Sequence, residues 1–181
     1  EPDACIAAWA ALEEIDAGVA RGLTAAGYCA YELGYVFERR LLPLLPETRG
    51  PLLRFHLFGA ARRLSPGARF RWLSERARGP AMSGDVGASL SAAAHRAKLD
   101  RVHQLIGDGD VYQVNLTFKL KGEAGDPFAT YLALRTKARA GACSFIRFDD
   151  EDVLSFSPEM FFRVKDGRIA ARPMKGRMSV L

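Results

Sequence analysis

No stretch of this sequence is apolar for anything near the roughly 20 residues needed to span a bilayer, and its first residues lack the basic-then-apolar layout of a signal peptide. A membrane partner is therefore not expected, and the simplest compartment is the cytoplasm. Cysteine is scarce: Cys5, Cys29 and Cys143 are odd in number, widely spaced and without any Cys-x-x-Cys or histidine partner pattern. Neither a disulfide framework nor a zinc site is indicated, and the thiols are expected to be reduced and mostly buried. Histidine is as sparse. His56, His95 and His103 show no metal-ligand spacing, and the last two sit too far apart on a predicted helix to share one ion. Any internal repeat or low-complexity tract is also missing, which excludes solenoids.

What is present is an ordinary globular composition, 49% hydrophobic and 26% charged over 181 residues, enough to bury a core. The net charge of +5 raises the question of a nucleic-acid partner. Arginine and lysine are spread along the chain without an aromatic-basic module, so the charge reads as a solvated surface and no nucleic acid is expected. Glu1 is not an initiator methionine and the chain stops at Leu181, a few residues beyond its richest motif, so it reads as a piece of a longer protein.

Periodicity predicts a helix over 4–19 with Ile6, Trp9, Leu12, Ile15 and Val19 on one face and Asp3 as N-cap. Residues 28–35 and 52–58 have strand composition, joined by a loop containing Pro43, Pro46 and Pro51. The glycine-rich stretch 76–89 is the expected mobile linker or long loop, and the domain seam is placed there: 1–88, then 89–181. Beyond it come a helix over 91–106 ended by Gly107 and Gly109, a strand over 111–121, and a helix from Asp126-Pro127 to about 138. Short strands follow at 144–148, 153–156 and 160–164, the last pairing through Lys165-Asp166-Gly167 with 168–172. This order predicts an α+β fold of mixed, mostly antiparallel sheets with packed helices.

Three segments occur in a fixed order: Gly109-Asp110-Val111-Tyr112-Gln113-Val114-Asn115-Leu116-Thr117, Ser157-Pro158-Glu159-Met160-Phe161, and Arg172-Pro173-Met174-Lys175-Gly176. At these residues the sequence resembles the chorismate-binding enzymes, and the resemblance extends back to Gly27-Tyr28-Cys29-Ala30-Tyr31-Glu32-Leu33-Gly34. The implied fold is that of anthranilate synthase component I, seen in part. Within that superfamily the residue before the last motif's glycine separates the branches. Lys175 resembles the aminodeoxychorismate synthase component I branch, whereas alanine is usual in anthranilate synthases.

The resemblance implies that Lys175 is a nucleophile on chorismate, that Glu159 is the acid/base carboxylate, and that Pro173, Met174 and Gly176 line the substrate. Replacing the 4-hydroxyl of chorismate by an amine is assisted when a neutral amine first adds to the ring, and a lysine does so at neutral pH only if its pKa is lowered. A polar–apolar alternation like that of Tyr112, Gln113 and Asn115 also arises where side chains satisfy neighbouring backbone groups. The implied ammonia source is a glutamine amidotransferase subunit or fused domain, and the implied cofactor is Mg²⁺, its glutamates lying beyond this chain. None of the residues here is assigned to the metal. Family members that hold tryptophan do so partly through a Pro-x-Ser stretch, which falls at Ala142, Cys143 and Ser144 and lacks the proline. The last motif normally continues with threonine, where this chain has Arg177. Two alternatives stay open: anthranilate synthase component I, and a non-catalytic partner-binding remnant. Strands left without their cover are expected to expose apolar faces and unpaired edges.

Overall fold

Alanine is the best helix former, and the segment that opens the chain is rich in it: α1 spans Pro2–Ala20. In the computed structural model, which describes residues 2–38, 40–47, 50–82, 84–138 and 140–172, the helix packs on a stripe that keeps Leu12 and Ile15 of the expected face but is rotated away from its other members. Ile6, Trp9 and Val19 are exposed, and the inward side carries Cys5, Ala8, Leu12, Ile15 and Gly18. The cause is close approach. A Cβ placed on Gly18 would lie 2.6 Å from a Leu57 methyl, so Gly18 rather than the expected Val19 faces the neighbouring strand at this point. Asp3 sits inside the first turn rather than capping it.

Two compact units organise the chain: residues 1–65 with 146–153, and residues 66–145 with 154–181. The fold is mixed α+β with small two-stranded sheets. In the first unit β1 (Thr24–Cys29) pairs antiparallel with β2 (Leu53–Phe58), Gly27 opposite Phe55 and Tyr28 opposite Arg54. Gly27 is thus mid-strand. A side chain there would run into the Arg54 carbonyl and lie 2.6 Å from the Phe55 Cα. The strand expected to continue to residue 35 instead turns into α2 (Leu33–Phe37), whose Leu33 and Val36 sit three apart and are buried against Ala8 of α1. That spacing is helical, and strand composition had concealed it. A single 3₁₀ turn, Leu42–Leu44, follows within the proline loop.

The second unit begins with α3 (Pro66–Ser74), which was not expected from the sequence because Pro66, Gly67, Arg69 and Arg71 obscure its pattern. Its Leu73 is buried with Phe128 and Tyr131 of α5 (Pro127–Ala138). The long loop after α3 is pinned rather than free. Asp126 caps α5 by accepting from the Ala129 N–H at 2.8 Å, and its other oxygen accepts from the Arg78 N–H at 3.2 Å. Thr130 Oγ1 accepts from the Met82 N–H at 2.8 Å. The loop 76–89, expected as the seam, lies inside this unit.

Helix α4 (Ala92–Gly107) begins where Ser91 Oγ accepts from the Ala94 N–H, and Gly109, at φ +83°, ends it as expected. No residue of α4 is fully buried, and Ile106 is exposed. The strand expected over 111–121 is reduced to β4 (Leu120–Lys121), paired with β3 (Gly87–Ala88). Residues 111–119 carry the composition of a strand, but no ladder forms along them among the described residues, and composition alone does not make a strand.

Strands β5 (Ala142–Arg147) and β6 (Asp152–Ser157) pair across a short loop, Phe148 standing just beyond β5 rather than in it. Cys143, Phe145, Leu154 and Phe156 alternate inward against Phe128 and Tyr131. The rings of Phe128 and Phe145 meet edge-on at 4.7 Å, and those of Tyr131 and Phe156 lie tilted at 5.4 Å. The last ribbon, β7 (Met160–Lys165) with β8 (Arg168–Arg172), turns through Asp166 (φ +50°) and Gly167 (φ +70°), the left-handed pair a two-residue hairpin needs. Gly27→Ala should destabilise the first unit by about 1–3 kcal/mol, because strand backbone cannot yield to the added methyl. A chemical-denaturation midpoint matching the parent would contradict that close approach.

Candidate functional site

Strand β6 delivers the chain into the Ser157-Pro158-Glu159 turn, and β7 begins at the next residue. Proline forbids a ladder donor at 158, so the turn is fastened by its serine. The Ser157 hydroxyl donates to the Glu159 carbonyl at 2.7 Å, while its oxygen accepts from the Glu159 N–H at 3.2 Å. This fixes the Glu159 backbone and leaves its side chain exposed.

From Glu159 the β7–β8 ribbon runs out and back. Its register sets Met160 opposite Arg172, with an irregularity between Met160 and Arg163. The chain therefore returns, at Arg172, to the end of the ribbon where Glu159 stands. Pro173, Met174, Lys175 and Gly176 lie outside the described residues.

The ribbon is two-faced. Phe162, Val164 and Ile169 lie on one side, and Arg163, Lys165 and Arg168 line a shallow recess on the other. Phe161 is 86% exposed and Ile169 75%.

The other expected site residues are scattered. Tyr112 is 95% exposed, and Gln113 and Asn115 are exposed with it. Cys143 points into the aromatic core of the second unit, its thiol donating to the Ala140 carbonyl at 3.6 Å, while Ala142 and Ser144 face outward on the same strand. Of the three thiols Cys5 and Cys143 are half-buried, and Cys29 is exposed rather than buried. Among the described residues no group of three or more His, Cys, Asp or Glu side chains is placed to hold a metal ion. No described helix is long and apolar enough to cross a membrane.

One polar cluster was not foreseen, and it belongs wholly to the first unit. Arg54 donates to Glu151 at 2.9 Å and pairs with Asp150 at 2.5 Å, and the Tyr28 hydroxyl donates to Glu151 at 2.7 Å. Its partners are 97 residues apart in the chain, and the only local sign was the acidic run Asp149-Asp150-Glu151-Asp152. Hydrogen bonding from Arg54 holds the Asp150 carboxyl below its ordinary range. The bond to Glu151 pushes the Tyr28 hydroxyl above its own.

Comparison with known proteins gives this geometry its family. The chorismate binding enzymes match the chain over residues 2–179. The chain belongs to that family. It is 34% identical over 117 residues to aminodeoxychorismate synthase component 1 of Salmonella typhimurium, covering 61% of this chain and 26% of that protein. It is 31% identical over 160 residues to aminodeoxychorismate synthase of Streptomyces pristinaespiralis, covering 78% and 22%. Anthranilate synthase component 1 of Lactococcus lactis is similar over a shorter stretch, 29% over 89 residues, 49% of this chain. The chain spans about a quarter of the length of the curated relatives it matches. No solved structure matches it significantly.

Among the chorismate binding enzymes' motifs in this chain, the stretch around Tyr28 now has a physical role, as one wall of the Arg54 cluster. Because the Tyr28 hydroxyl's folded value is raised, the stability from its bond to Glu151 is full below the ordinary tyrosine value and is lost as pH rises through the folded one. The Asp150 contribution has the opposite sense: it is present above the ordinary aspartate value and lost as pH falls through the lowered folded value. Glu151→Gln should bring the Tyr28 titration, followed by NMR of its ring, back toward the ordinary tyrosine value. An unchanged titration would show that Glu151 is not its acceptor.

Proposed function

We propose that the protein carrying this sequence acts as component I of an aminodeoxychorismate synthase. It converts chorismate and ammonia to 4-amino-4-deoxychorismate for para-aminobenzoate and folate synthesis. The observation that carries the reading is Lys175 before Gly176, in the third of three ordered family motifs. The relatives named aminodeoxychorismate synthase, at 29–35% identity, support it. Ammonia comes from glutamine through an amidotransferase subunit or fused domain.

In this scheme neutral Lys175 adds to the chorismate ring, the ring π electrons shift, and the C4–O bond breaks. Glu159, as the carboxylic acid, gives its proton so that the hydroxyl leaves as water. Ammonia then forms a bond at C4, the π electrons return, and the bond to Lys175 breaks, releasing the amine. The new ammonium gives a proton back to the Glu159 carboxylate. The sum is chorismate plus ammonia giving the amino product plus water, with both side chains restored.

Family membership brings Mg²⁺ with it as an expected cofactor. The described residues do not form a site for the ion, so no step is routed through it. Its glutamates, and the groups that hold the chorismate carboxylates, are assigned to segments of the relatives outside the quarter matched here. Some relatives are named anthranilate synthase, and Lys175 argues against that product.

The test uses the full-length protein supplied with chorismate, Mg²⁺ and ammonium. Lys175→Ala should abolish formation of 4-amino-4-deoxychorismate, and Glu159→Gln should lower kcat by about 10²–10⁴-fold. Unchanged amination by the Lys175 variant would overturn the nucleophile. Fluorescent anthranilate with pyruvate, formed by the parent protein, would overturn the branch.

A further inference from the structure

Residues 146–153 join the first unit although about eighty residues separate them from the rest of it. What attaches them is concentrated on one face of the β1–β2 ribbon. Paired residues point the same way, so Tyr28, Arg54 and His56 share that face, and Ala26 opposite His56 leaves space beside them. Phe148, only 5% exposed, fills the space. The Arg54 guanidinium lies 4.2 Å from its ring centre, His56 stacks on it at 4.8 Å, and Tyr28 meets it edge-on at 5.8 Å.

Around this ring stand the charged contacts, Arg54 to Asp150 and Glu151 and the Tyr28 hydroxyl to Glu151. The loop closes on itself through the Phe148 N–H donating to the Glu151 carbonyl at 2.8 Å. At its foot Arg147 grips Asp152 through both carboxylate oxygens, at 2.7 and 2.9 Å.

These contacts differ in kind. Asp150 is 71% exposed and Glu151 36%, so the ion pairs are screened by water and contribute little by themselves. Phe148 is the buried group of the attachment. A segment held by one buried ring and a rim of exposed charge opens at a free energy below that of global unfolding.

We propose that residues 147–152 are a strap that docks on the β1–β2 ribbon and leaves it as a unit, with Phe148 as its plug and Arg54 as its catch. Closed, it covers one face of the ribbon; open, it presents Tyr28, Arg54 and His56 together to solvent. The strap is independent of the function proposed above.

Hydrogen exchange on the 181-residue chain tests this, with helix α5 as internal reference. In Phe148→Ala, exchange across 147–152, the Phe148 amide included, should rise at least about tenfold while α5 amides keep their parent rates. Should that variant fail to fold, Phe148→Leu, which keeps an apolar plug without the ring contacts, should give a smaller rise in the same amides. Arg54→Glu should also loosen the strap, and the swap Arg54→Glu with Glu151→Arg should restore part of its protection. A strap unmoved by both Phe148 variants, loosening that reaches α5 equally, or a swap no better protected than Arg54→Glu alone would each overturn the proposal.

Discussion

A two-stranded ribbon is marginal in water unless something covers at least one of its faces, and among the described residues all the sheets are two-stranded. How each ribbon meets that constraint explains most of the structure. The β1–β2 ribbon is covered twice: α1 reaches Leu57 closely enough to require Gly18, and Phe148 fills the Tyr28–Arg54 face. The β5–β6 ribbon sets four alternating apolar side chains against Phe128 and Tyr131. In β7–β8 the large apolar residues Phe161, Phe162, Val164 and Ile169 all remain exposed.

Elements set by local chemistry were legible in the sequence. Asp126 caps α5, Gly109 takes a positive φ behind α4, and Asp166-Gly167 turns the last hairpin, because each effect acts within a few residues. Elements set by partners were misread. The buried stripe of α1 depends on how closely the β1–β2 ribbon approaches, which no periodicity of α1 reports. Residues 111–119 have strand composition without a strand, since a ladder needs a neighbour that composition cannot supply. At 33–37 the error ran the other way: aromatic and branched residues suggested a strand, while Leu33 and Val36 already carried a helical spacing.

The candidate site divides along the same line. Ser157-Pro158-Glu159 was readable as a motif, and the structure adds how serine fixes its backbone. The hairpin's register then explains why β8 ends, at Arg172, beside the Glu159 end of the ribbon after thirteen intervening residues, Met160 to Arg172. The Arg54 cluster could not be read at all. Arg54 and Glu151 are each unremarkable locally, and only folding 146–153 onto β2 makes them partners.

On the proposed function, the least covered ribbon is also the one that must carry the chemistry. A lysine that attacks as the free amine, and a carboxyl that donates a proton near neutral pH, both need surroundings that penalise charge. Glu159 stands exposed at the root of a ribbon whose own apolar face is exposed. Burying Phe161, Phe162, Val164 and Ile169 would remove water from that same neighbourhood. Covering the ribbon and raising the cost of a charged Glu159 are then one physical event, because the desolvation that stabilises the apolar face also makes the charged form costly.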